Sequence, residues 1–316
     1  MTTRATAPSA APTSAHAWIL AARPATLPAA AVPVLVGTAA AAAGGVAVRP
    51  LVFAATMLAA LLIQVGTNFA NDYSDFHRGA DHEGRLGPVR VTQGGLLSQT
   101  AVRRGIVVAF GLATLLGCYL AWVGGWPIIV IGVLSIIAGL AYTGGPWPFG
   151  YHGFGDLFVF IFFGVVAVTG TAYLQAGAWS AVALAASVPV GLLVTSIIVV
   201  NNLRDLPTDR GVGKRTLAVR LGDPLTRTQY ALFIALAYLA VTVLAFSAPE
   251  RRWLLLPWLT IPLGVRLVQR VRGGVAGRDL NPVLVRTGQL LLVFGVLLAA
   301  GLMLVARARL PLSPAG

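Results

Sequence analysis

The chain is dominated by long apolar runs that end at glycine, proline or charged residues. A membrane-spanning helix needs about 20 mostly apolar residues, and nine of the runs approach or reach that length. They lie at residues 25–44, 51–73, 103–123, 126–142, 155–174, 180–203, 226–246, 252–269 and 286–306. The pattern therefore predicts an all-α polytopic membrane protein with nine transmembrane helices.

The composition supports this fold class. Of 316 residues, 57% are hydrophobic and 10% are charged, whereas soluble domains carry about 25% charged residues. Because the spans use most of the length, we expect residues 18–310 to form a single transmembrane domain. A disordered tail is predicted at 1–17 and a C-terminal tail at 311–316. The single cysteine, Cys118, excludes a disulfide framework and a thiolate metal cluster.

The basic residues predict which side of the membrane each loop faces. With nine spans, all but five of the 23 basic residues fall on the side that carries the N-terminus. The positive-inside rule places that side in the cytoplasm. The net charge of +13 is therefore explained by topology within a lipid bilayer, and we expect no nucleic-acid partner.

Polar side chains interrupt the apolar pattern at the end of the second predicted span. Gln64, Asn68, Asp72 and Asp75 lie at offsets of 0, 4, 8 and 11 residues, which fall on one face of an α-helix. A carboxylate costs about 2.5 to 3.5 kcal/mol at the centre of a membrane helix and less near its end. Acids retained in such a chain indicate a functional site.

The end of the sixth predicted span repeats this arrangement. Asn201, Asp205 and Asp209 are spaced four residues apart, and they share a face if the helix continues past the proline between them. A basic loop with Lys214 and Arg215 follows, just as arginines follow the first acidic end. We therefore expect the two acidic ends to face one another across the helical bundle.

A third loop on the same side, residues 142–156, contains glycine, proline and aromatic residues but no basic residue. This composition is typical of a backbone-rich wall for a planar apolar ligand. It is equally typical of a tight connector that needs glycine and proline for its turns. The first interpretation favours Tyr142, together with Gln64, as a contact to an aromatic substrate.

Two oxygen-rich helix ends followed by basic residues predict a site for a metal-bound diphosphate. Carboxylate and amide oxygens without cysteine or histidine ligands favour a hard divalent ion, Mg²⁺ before Zn²⁺. Magnesium often binds protein carboxylates together with substrate phosphates, and arginine or lysine completes the contacts to the anion. Because the site adjoins a bilayer, the diphosphate is expected to carry an apolar tail. Departure of the diphosphate would leave a carbocation on the tail, which an electron-rich acceptor would then attack.

Several motifs resemble those of the UbiA superfamily of intramembrane aromatic prenyltransferases. NDYSD at 71–75 and NNLRDLPTD at 201–209 are similar to its two aspartate-rich motifs. Four further stretches resemble its 1,4-dihydroxy-2-naphthoate polyprenyltransferase branch. They read ARPATLPAAAVPVLVGTA, GADHEGRLGPVRVTQGG, YTGGPWPFGYHGFGDLFVFIFFG and DRGVGKRTLAVRLG.

The resemblance implies nine helices around a central cavity, with Mg²⁺ as cofactor. It implies polyprenyl diphosphate and 1,4-dihydroxy-2-naphthoate as substrates, and a prenyl group that replaces the naphthoate carboxylate, which leaves as CO₂. The product would be demethylmenaquinol, a menaquinone precursor. The location would be a bacterial inner (plasma) membrane, with the active site toward the cytoplasm.

The motifs and the charge pattern together define the predicted site. Catalysis is assigned to Asp72, Asp75, Asp205, Asp209 and Lys214, and the four aspartates are the expected metal ligands. Substrate binding is assigned to Arg23, Gln64, Asn68, Asn71, Arg78, Tyr142, Asp156, Asn201, Asn202 and Arg215. Two positions depart from the superfamily pattern. Gly79 stands where many members have a third acid, with Asp81 nearby, and Asp156 stands where a glutamate is expected.

Other functions fit parts of the pattern. Within the same chemistry, the acceptor is open between dihydroxynaphthoate, 4-hydroxybenzoate and homogentisate, or the product is a tetraprenyl chlorophyll or haem derivative. A membrane transporter is a further alternative, although transporter acids usually lie at broken helices near the midplane. The DG-x-x-AR sequence of a CDP-alcohol phosphotransferase is absent. The prenyl chain length and the oligomeric state stay open.

Overall fold

A computed structural model of the protein describes residues 14–79 and 86–309. These residues form ten main helical segments, with short helical turns in the loops between them and no strand. The segments are α1 Ser14–Ala22, α2 Pro28–Ala43, α3 Pro50–His77, α4 Gln99–Gly124, α5 Trp126–Ala141, α6 Gly155–Ala176, α7 Ala181–Gly211, α8 Asp223–Phe246, α9 Pro249–Arg272 and α10 Leu280–Arg309.

The predicted all-α fold is confirmed, and each predicted span corresponds to one of the helices α2–α10. Among the described residues, seven helices (α3, α4 and α6–α10) are long and apolar enough to cross a membrane. Helix α2 passes the same test only together with α1, from which it is bent by 51°. Helix α5 has 16 residues, whereas a span usually needs about 20. The predicted count of nine therefore exceeds the seven or eight full-length spans.

Helix α1 begins inside the predicted N-terminal tail. Ala17 and Trp18 on this helix pack in one cluster with Phe69 of α3, and the Trp18 and Phe69 rings meet edge to face with centroids 5.3 Å apart. Burial of this apolar surface stabilises a helix that the sequence pattern alone did not predict. The other residues assigned to the two tails, 1–13 and 311–316, lie outside the described residues.

Helices α3 and α7 extend beyond their predicted ends and carry the acidic motifs on their last turns. They have 28 and 31 residues, which gives lengths of about 42 and 46 Å at 1.5 Å per residue. The hydrocarbon core is about 30 Å thick, so each helix extends beyond it. Helix α7 continues through Pro207, and this continuity keeps Asp205 and Asp209 on one face.

Helix α7 is the most buried of the seven long spans and packs against α2, α6, α8 and α10. Glycines let the backbones approach closely. A Cβ on Gly164 of α6 would lie 2.6 Å from the Cα of Gly191 in α7. A Cβ on Gly37 of α2 would lie 2.4 Å from the backbone oxygen of Val168 in α6. These contacts hold α2, α6 and α7 together around the site.

Helix α6 contains a π-helical segment, Phe160–Val166. Such wide turns are rare within α-helices and are frequent at functional sites. Phe162 and Phe163 in this segment line two adjoining cavities in the bundle. The change of helical pitch therefore occurs where α6 passes the candidate site.

One end of the bundle gathers the loops that follow the acidic helix ends. Asn281, at the start of α10, donates from Nδ2 to the backbone oxygen of Leu86 at 3.1 Å. The Arg215 amide donates to the backbone oxygen of Tyr151 at 2.8 Å, which joins the loops after α7 and α5. At the opposite end, the Arg49 amide donates to the side chain of Gln175. The loops thus separate into two ends as the span order predicts.

Candidate active site

Ten of the fifteen residues predicted for the site line one cavity of about 180 Å³. It lies between α2, α3, α6 and α7, and the loops after α3, α5 and α7 contribute Arg90, Thr143 and Thr216. The ten residues are Arg23, Gln64, Asn68, Asn71, Asp75, Tyr142, Asn201, Asn202, Asp205 and Asp209. The two acidic helix ends therefore face a common polar space.

This polar cavity adjoins two apolar cavities inside the bundle. Thr67, Tyr142 and Phe163 line both the polar cavity and a neighbouring space of about 120 Å³. Ile63 and Phe162 in turn line that space and a larger chamber of about 530 Å³. The chamber is lined mostly by small and aliphatic side chains of α3, α4, α5 and α6. A ligand with a polar head and a long apolar tail fits this sequence of cavities.

Asp75 is held by donors from three loops. Arg90 forms an ion pair with its Oδ2 at 2.7 Å, and Lys214 lies 3.3 Å from its Oδ1. The Tyr151 hydroxyl also donates to Oδ1, at 2.5 Å. Three donors from three different loops thus meet on one carboxylate that is 2% exposed. The acid joins the loops to the end of α3.

Lys214, the only lysine of the sequence, reaches Asp75 because the chain reverses after α7. Gly213 has φ 77°, a left-handed conformation that favours glycine. The Lys214 amide then donates to the backbone oxygen of Asp209 at 2.9 Å. Its ammonium lies 4.4 Å from the centre of the Tyr151 ring, within cation–π range. The turn places a cation over the acidic end of α3.

Asp72, which is predicted to be a metal ligand, is not among the residues that line the cavity. Its two carboxylate oxygens accept hydrogen bonds from the backbone amides of Val91 and Thr92, each at 3.1 Å. These bonds hold the turn that begins at Arg90. Asp72 therefore connects α3 to the loop that brings Arg90 to Asp75.

Asp205 is paired with its neighbour in sequence. The Arg204 guanidinium donates from Nε and Nη2 to the two oxygens of Asp205, at 2.8 and 2.6 Å. It also donates to the side-chain oxygens of Asn201 and Asn281, at 2.9 and 2.8 Å. A Cβ on Gly87 would lie 2.7 Å from the same guanidinium, so the loop backbone passes directly against it. Arg204 thus joins α7, α10 and the loop after α3.

The amides of α3 are oriented by contacts with the α1–α2 junction. Asn68 donates from Nδ2 to the backbone oxygen of Ala22 at 2.9 Å and to the Thr26 hydroxyl at 3.2 Å. Gln64 donates to the same hydroxyl at 3.2 Å. Asn71 accepts from Thr143 at 2.9 Å. Because these three amides precede Asp75 on α3, they lie deeper in the bundle than that acid.

Tyr142 follows the end of α5 and lies between the polar cavity and the adjoining apolar space. A tyrosine hydroxyl is a neutral hydrogen-bond donor at physiological pH. Its position supports the predicted contact with an aromatic ring.

Three predicted substrate-binding residues do not reach the cavity. The side chain of Arg78 is exposed and donates to the backbone oxygen of Gly145. Arg215 is also exposed, because its backbone rather than its side chain makes the contact to the loop after α5. Asp156 is buried beside α8, where Gln229 donates to its Oδ1 at 3.1 Å. Asp81 lies outside the described residues.

Sequence reasoning missed three residues that contact the acids: Arg90, Tyr151 and Arg204. Arg90 and Tyr151 lie in loops that the sequence analysis had associated with the site. Their shared partner, Asp75, could not be predicted because the contact depends on how these loops fold. Arg204 carried a clearer signal. An arginine immediately before Asp205, inside a segment that is otherwise apolar, needs a buried partner.

The donor set fits Mg²⁺ bound together with a phosphate ligand. Among the described residues, no three acidic, histidine or cysteine side chains lie close enough to hold a metal by themselves. Asp75, Asp205 and Asp209 nevertheless line one cavity with amide oxygens. Magnesium typically uses one or two carboxylates and completes its shell with water and substrate phosphates. A site that protein and substrate share in this way needs only part of the metal ligands from the protein.

A family model for UbiA prenyltransferases matches residues 30–282. The chain belongs to the UbiA prenyltransferase family. The matched range includes both acidic helix ends and nearly all of the cavity wall. The resemblance of the two aspartate-rich motifs is thereby confirmed at the level of the family.

Two named relatives and one solved structure are similar to this UbiA family chain over most of its length. The 1,4-dihydroxy-2-naphthoate octaprenyltransferase of Mycobacterium tuberculosis is 43% identical, over 90% of this chain and 96% of the relative. The enzyme of the same name from Escherichia coli is 35% identical, over 92% and 96%. A solved UbiA homolog from Archaeoglobus fulgidus has a TM-score of 0.65 at 13% identity, over 91% of this chain and 99% of its own. The same homolog bound to GPP and Mg²⁺ gives a TM-score of 0.61.

Proposed function

We propose that this protein transfers a polyprenyl group from a polyprenyl diphosphate to 1,4-dihydroxy-2-naphthoate, with Mg²⁺ as cofactor. The observation that carries the proposal is a single polar cavity, lined by acids of α3 and α7, that adjoins an apolar chamber of about 530 Å³. The names of the M. tuberculosis and E. coli relatives support the choice of acceptor over 4-hydroxybenzoate or homogentisate. The distribution of basic residues supports an active site that faces the cytoplasm.

Asp75, Asp205 and Asp209, with the amide oxygens of Asn68 and Asn201, would hold the metal. Bound Mg²⁺ would neutralise the diphosphate and make it a better leaving group. Asn71 and Asn202 line the same wall and add amide groups for the phosphate oxygens.

Two cations of the chain would bind the diphosphate directly. Arg90 and Lys214 already lie on Asp75, so they are close enough to reach an anion at the end of α3. A guanidinium binds phosphate oxygens in a bidentate manner, whereas the ammonium acts as a point charge. Both would stabilise the negative charge that develops on the leaving diphosphate.

The proposed reaction balances without an external oxidant or base. The allylic C–O bond breaks, and its electron pair leaves with the diphosphate. The ring carbon that carries the carboxylate donates an electron pair to the prenyl carbon and forms the new C–C bond. The carboxylate then leaves as CO₂, and the electrons of its C–C bond return to the ring. An apolar chamber keeps water away from the prenyl group during this exchange.

Membranes that contain the protein test the proposed function directly. Supplied with dihydroxynaphthoate, a polyprenyl diphosphate and Mg²⁺, they are expected to give a prenylated quinol whose mass shows the loss of CO₂. A chelator should stop the reaction, and Mg²⁺ should restore it. Turnover of 4-hydroxybenzoate or homogentisate at an equal rate would contradict the assigned acceptor. Absence of any prenyl transfer would contradict the function.

The apolar chamber should accommodate the prenyl chain. Gly117 of α4 lines it, and a Cβ at this position would meet no atom within 4 Å. We expect the phenylalanine side chain of Gly117→Phe to fill the chamber. This change should reduce kcat/KM for a long polyprenyl diphosphate about tenfold or more. Geranyl diphosphate, which has a short chain, should remain a good substrate. Gly111→Phe is the matched control, because Gly111 lies on the same helix, has equally open space and does not line the chamber. Equal losses for short and long chains would contradict this role.

Lys214 should contribute to binding of the diphosphate. We expect Lys214→Met to raise KM for the prenyl diphosphate about tenfold, with a smaller effect on KM for the naphthoate, because the cation contacts the substrate and the leaving group alike. Arg210→Met, at an exposed position on the last turn of α7, is the control and should leave both constants unchanged. A selective loss of naphthoate affinity in Lys214→Met would assign the lysine to the other substrate.

A further inference from the structure

The junction between α1 and α2 carries an unusual backbone conformation. Arg23 has φ 52° and ψ 70°, and it is the only described non-glycine residue with positive φ. A non-glycine residue in this region costs of order 1 kcal/mol and persists only where its surroundings impose it, often at ligand sites. Pro24 follows directly, and the two helices meet at 51°. The conformation places Arg23 on the wall of the polar cavity.

Thr26, three residues later, decides how the Gln64 amide is oriented. Its hydroxyl donates its one hydrogen to the backbone oxygen of Arg23 at 2.9 Å. The contacts at 3.2 Å to Gln64 and Asn68 must therefore be bonds that the hydroxyl oxygen accepts from the amide nitrogens. The amide oxygen of Gln64 is left as an acceptor. It is buried, has no hydrogen-bond partner among the described residues, and belongs to a side chain that lines the cavity.

Gln64 lies at the end of the cavity that is farther from Asp75. Gln64 lies eleven residues before Asp75 on nearly the same face of α3, which places it about 16 Å deeper along the helix. Arg23, the buried Gln64 acceptor and Tyr142 line the same cavity. A ligand that carries an anion and a hydroxyl donor on a flat apolar body is complementary to a guanidinium and a buried amide oxygen. A metal-bound diphosphate has no such hydroxyl.

We propose that Arg23 binds the carboxylate of the aromatic acceptor and that Gln64 Oε1 accepts a hydrogen bond from its ring hydroxyl. Thr26 is a positioning residue, since it orients the Gln64 amide and is bonded to the backbone of Arg23. This inference rests on the proposed function, because it identifies the subsite for the second substrate. It gives the acceptor two recognition points, the carboxylate and the hydroxyl beside it.

The subsite also has a consequence for the order of events. The carboxylate is the group that leaves as CO₂, so the contact to Arg23 exists in the substrate and is lost in the product. The quinol product keeps only the hydroxyl contact to Gln64. The site therefore binds the naphthoate more tightly than the prenylated quinol, which favours release of the product into the bilayer.

Two simplified ligands separate the two contacts. Binding of 2-naphthoate, which has a carboxylate and no hydroxyl, and of 1,4-naphthalenediol, which has hydroxyls and no carboxylate, is measured on purified full-length protein. Arg23→Gly is chosen because glycine accepts positive φ without strain. This variant should weaken binding of 2-naphthoate about tenfold or more, as expected for loss of one charge-assisted bond. Binding of the diol should be unchanged. Gln64→Leu should do the reverse. Arg278→Gly, at an exposed position outside the cavity, is the control.

The results distinguish this inference from the proposed function. Arg23→Lys keeps the charge and should recover part of the affinity for 2-naphthoate, which a purely structural role of Arg23 does not predict. Equal weakening of both ligands by Arg23→Gly, or no weakening of either, would overturn the assignment. Binding is measured without prenyl transfer, so the assignment can fail while turnover of dihydroxynaphthoate persists. Equally, absent turnover with the crossed binding pattern intact would overturn only the function.

Discussion

Asp205→Asn is expected to lower the rate of prenyl transfer about 10²- to 10³-fold or more, while the protein still inserts into membranes. The substitution keeps the volume of the side chain and removes a charge that would bind the metal. Losing electrostatic stabilisation of a developing anion commonly has an effect of this size. Asp75→Asn should act alike, because both acids line the same cavity. Product formation in membranes of matched protein content measures the effect.

Asp223→Asn is the matched control for these two variants. Asp223 lies at the start of α8 and forms an ion pair with Arg227 through a half-exposed carboxylate, away from the cavity. Its substitution should leave turnover near the wild-type rate. Diphosphate release measured without acceptor adds a second readout, since it reports cleavage of the C–O bond alone. Near-normal release in Asp205→Asn with Mg²⁺ present would contradict the metal assignment.

Local periodicity explains why the cavity wall could be predicted from the sequence. At about 100° per residue, Gln64, Asn68, Asn71 and Asp75 fall within an arc of about 60° on α3. All four line the cavity. Asp72 lies about 40° outside this arc, and its carboxylate bonds to the loop instead. The periodicity alone had placed Asp72 on the shared face, because its loop partner depends on tertiary folding.

Long-range contacts explain what the sequence could not predict. Arg204 bonds to Asn281, which is 77 residues later in the chain, and Lys214 bonds to Asp75, which is 139 residues earlier. No local pattern specifies such pairs, because they depend on how the loops at one end of the bundle fold together. The same holds for α1, whose helical start depends on packing against Phe69 of α3.

Arg204 connects the stability of the bundle to the geometry of the site. Its guanidinium is 2% exposed and bonds to Asp205, Asn201 and Asn281. Removing one partner of a buried ion pair typically costs about 3 to 5 kcal/mol, because it leaves a charge without compensation. Arg204→Met should therefore lower the melting temperature of the purified protein strongly and abolish prenyl transfer. Arg204→Lys keeps the charge but not the planar fork, so it should be intermediate in both.

A double variant separates the two effects of Arg204. In R204M/D205N, neither charge remains buried alone, so the melting temperature should recover part of the loss seen in Arg204→Met. Turnover should not recover, since Asp205 is also needed for the metal. Arg210→Met, on the exposed face of the last turn of α7, should melt like the wild type. If Arg204→Met melts at the wild-type temperature, the guanidinium does not hold α7, α10 and the loop together. If the double variant melts even lower than Arg204→Met, the loss of stability does not come from an uncompensated carboxylate.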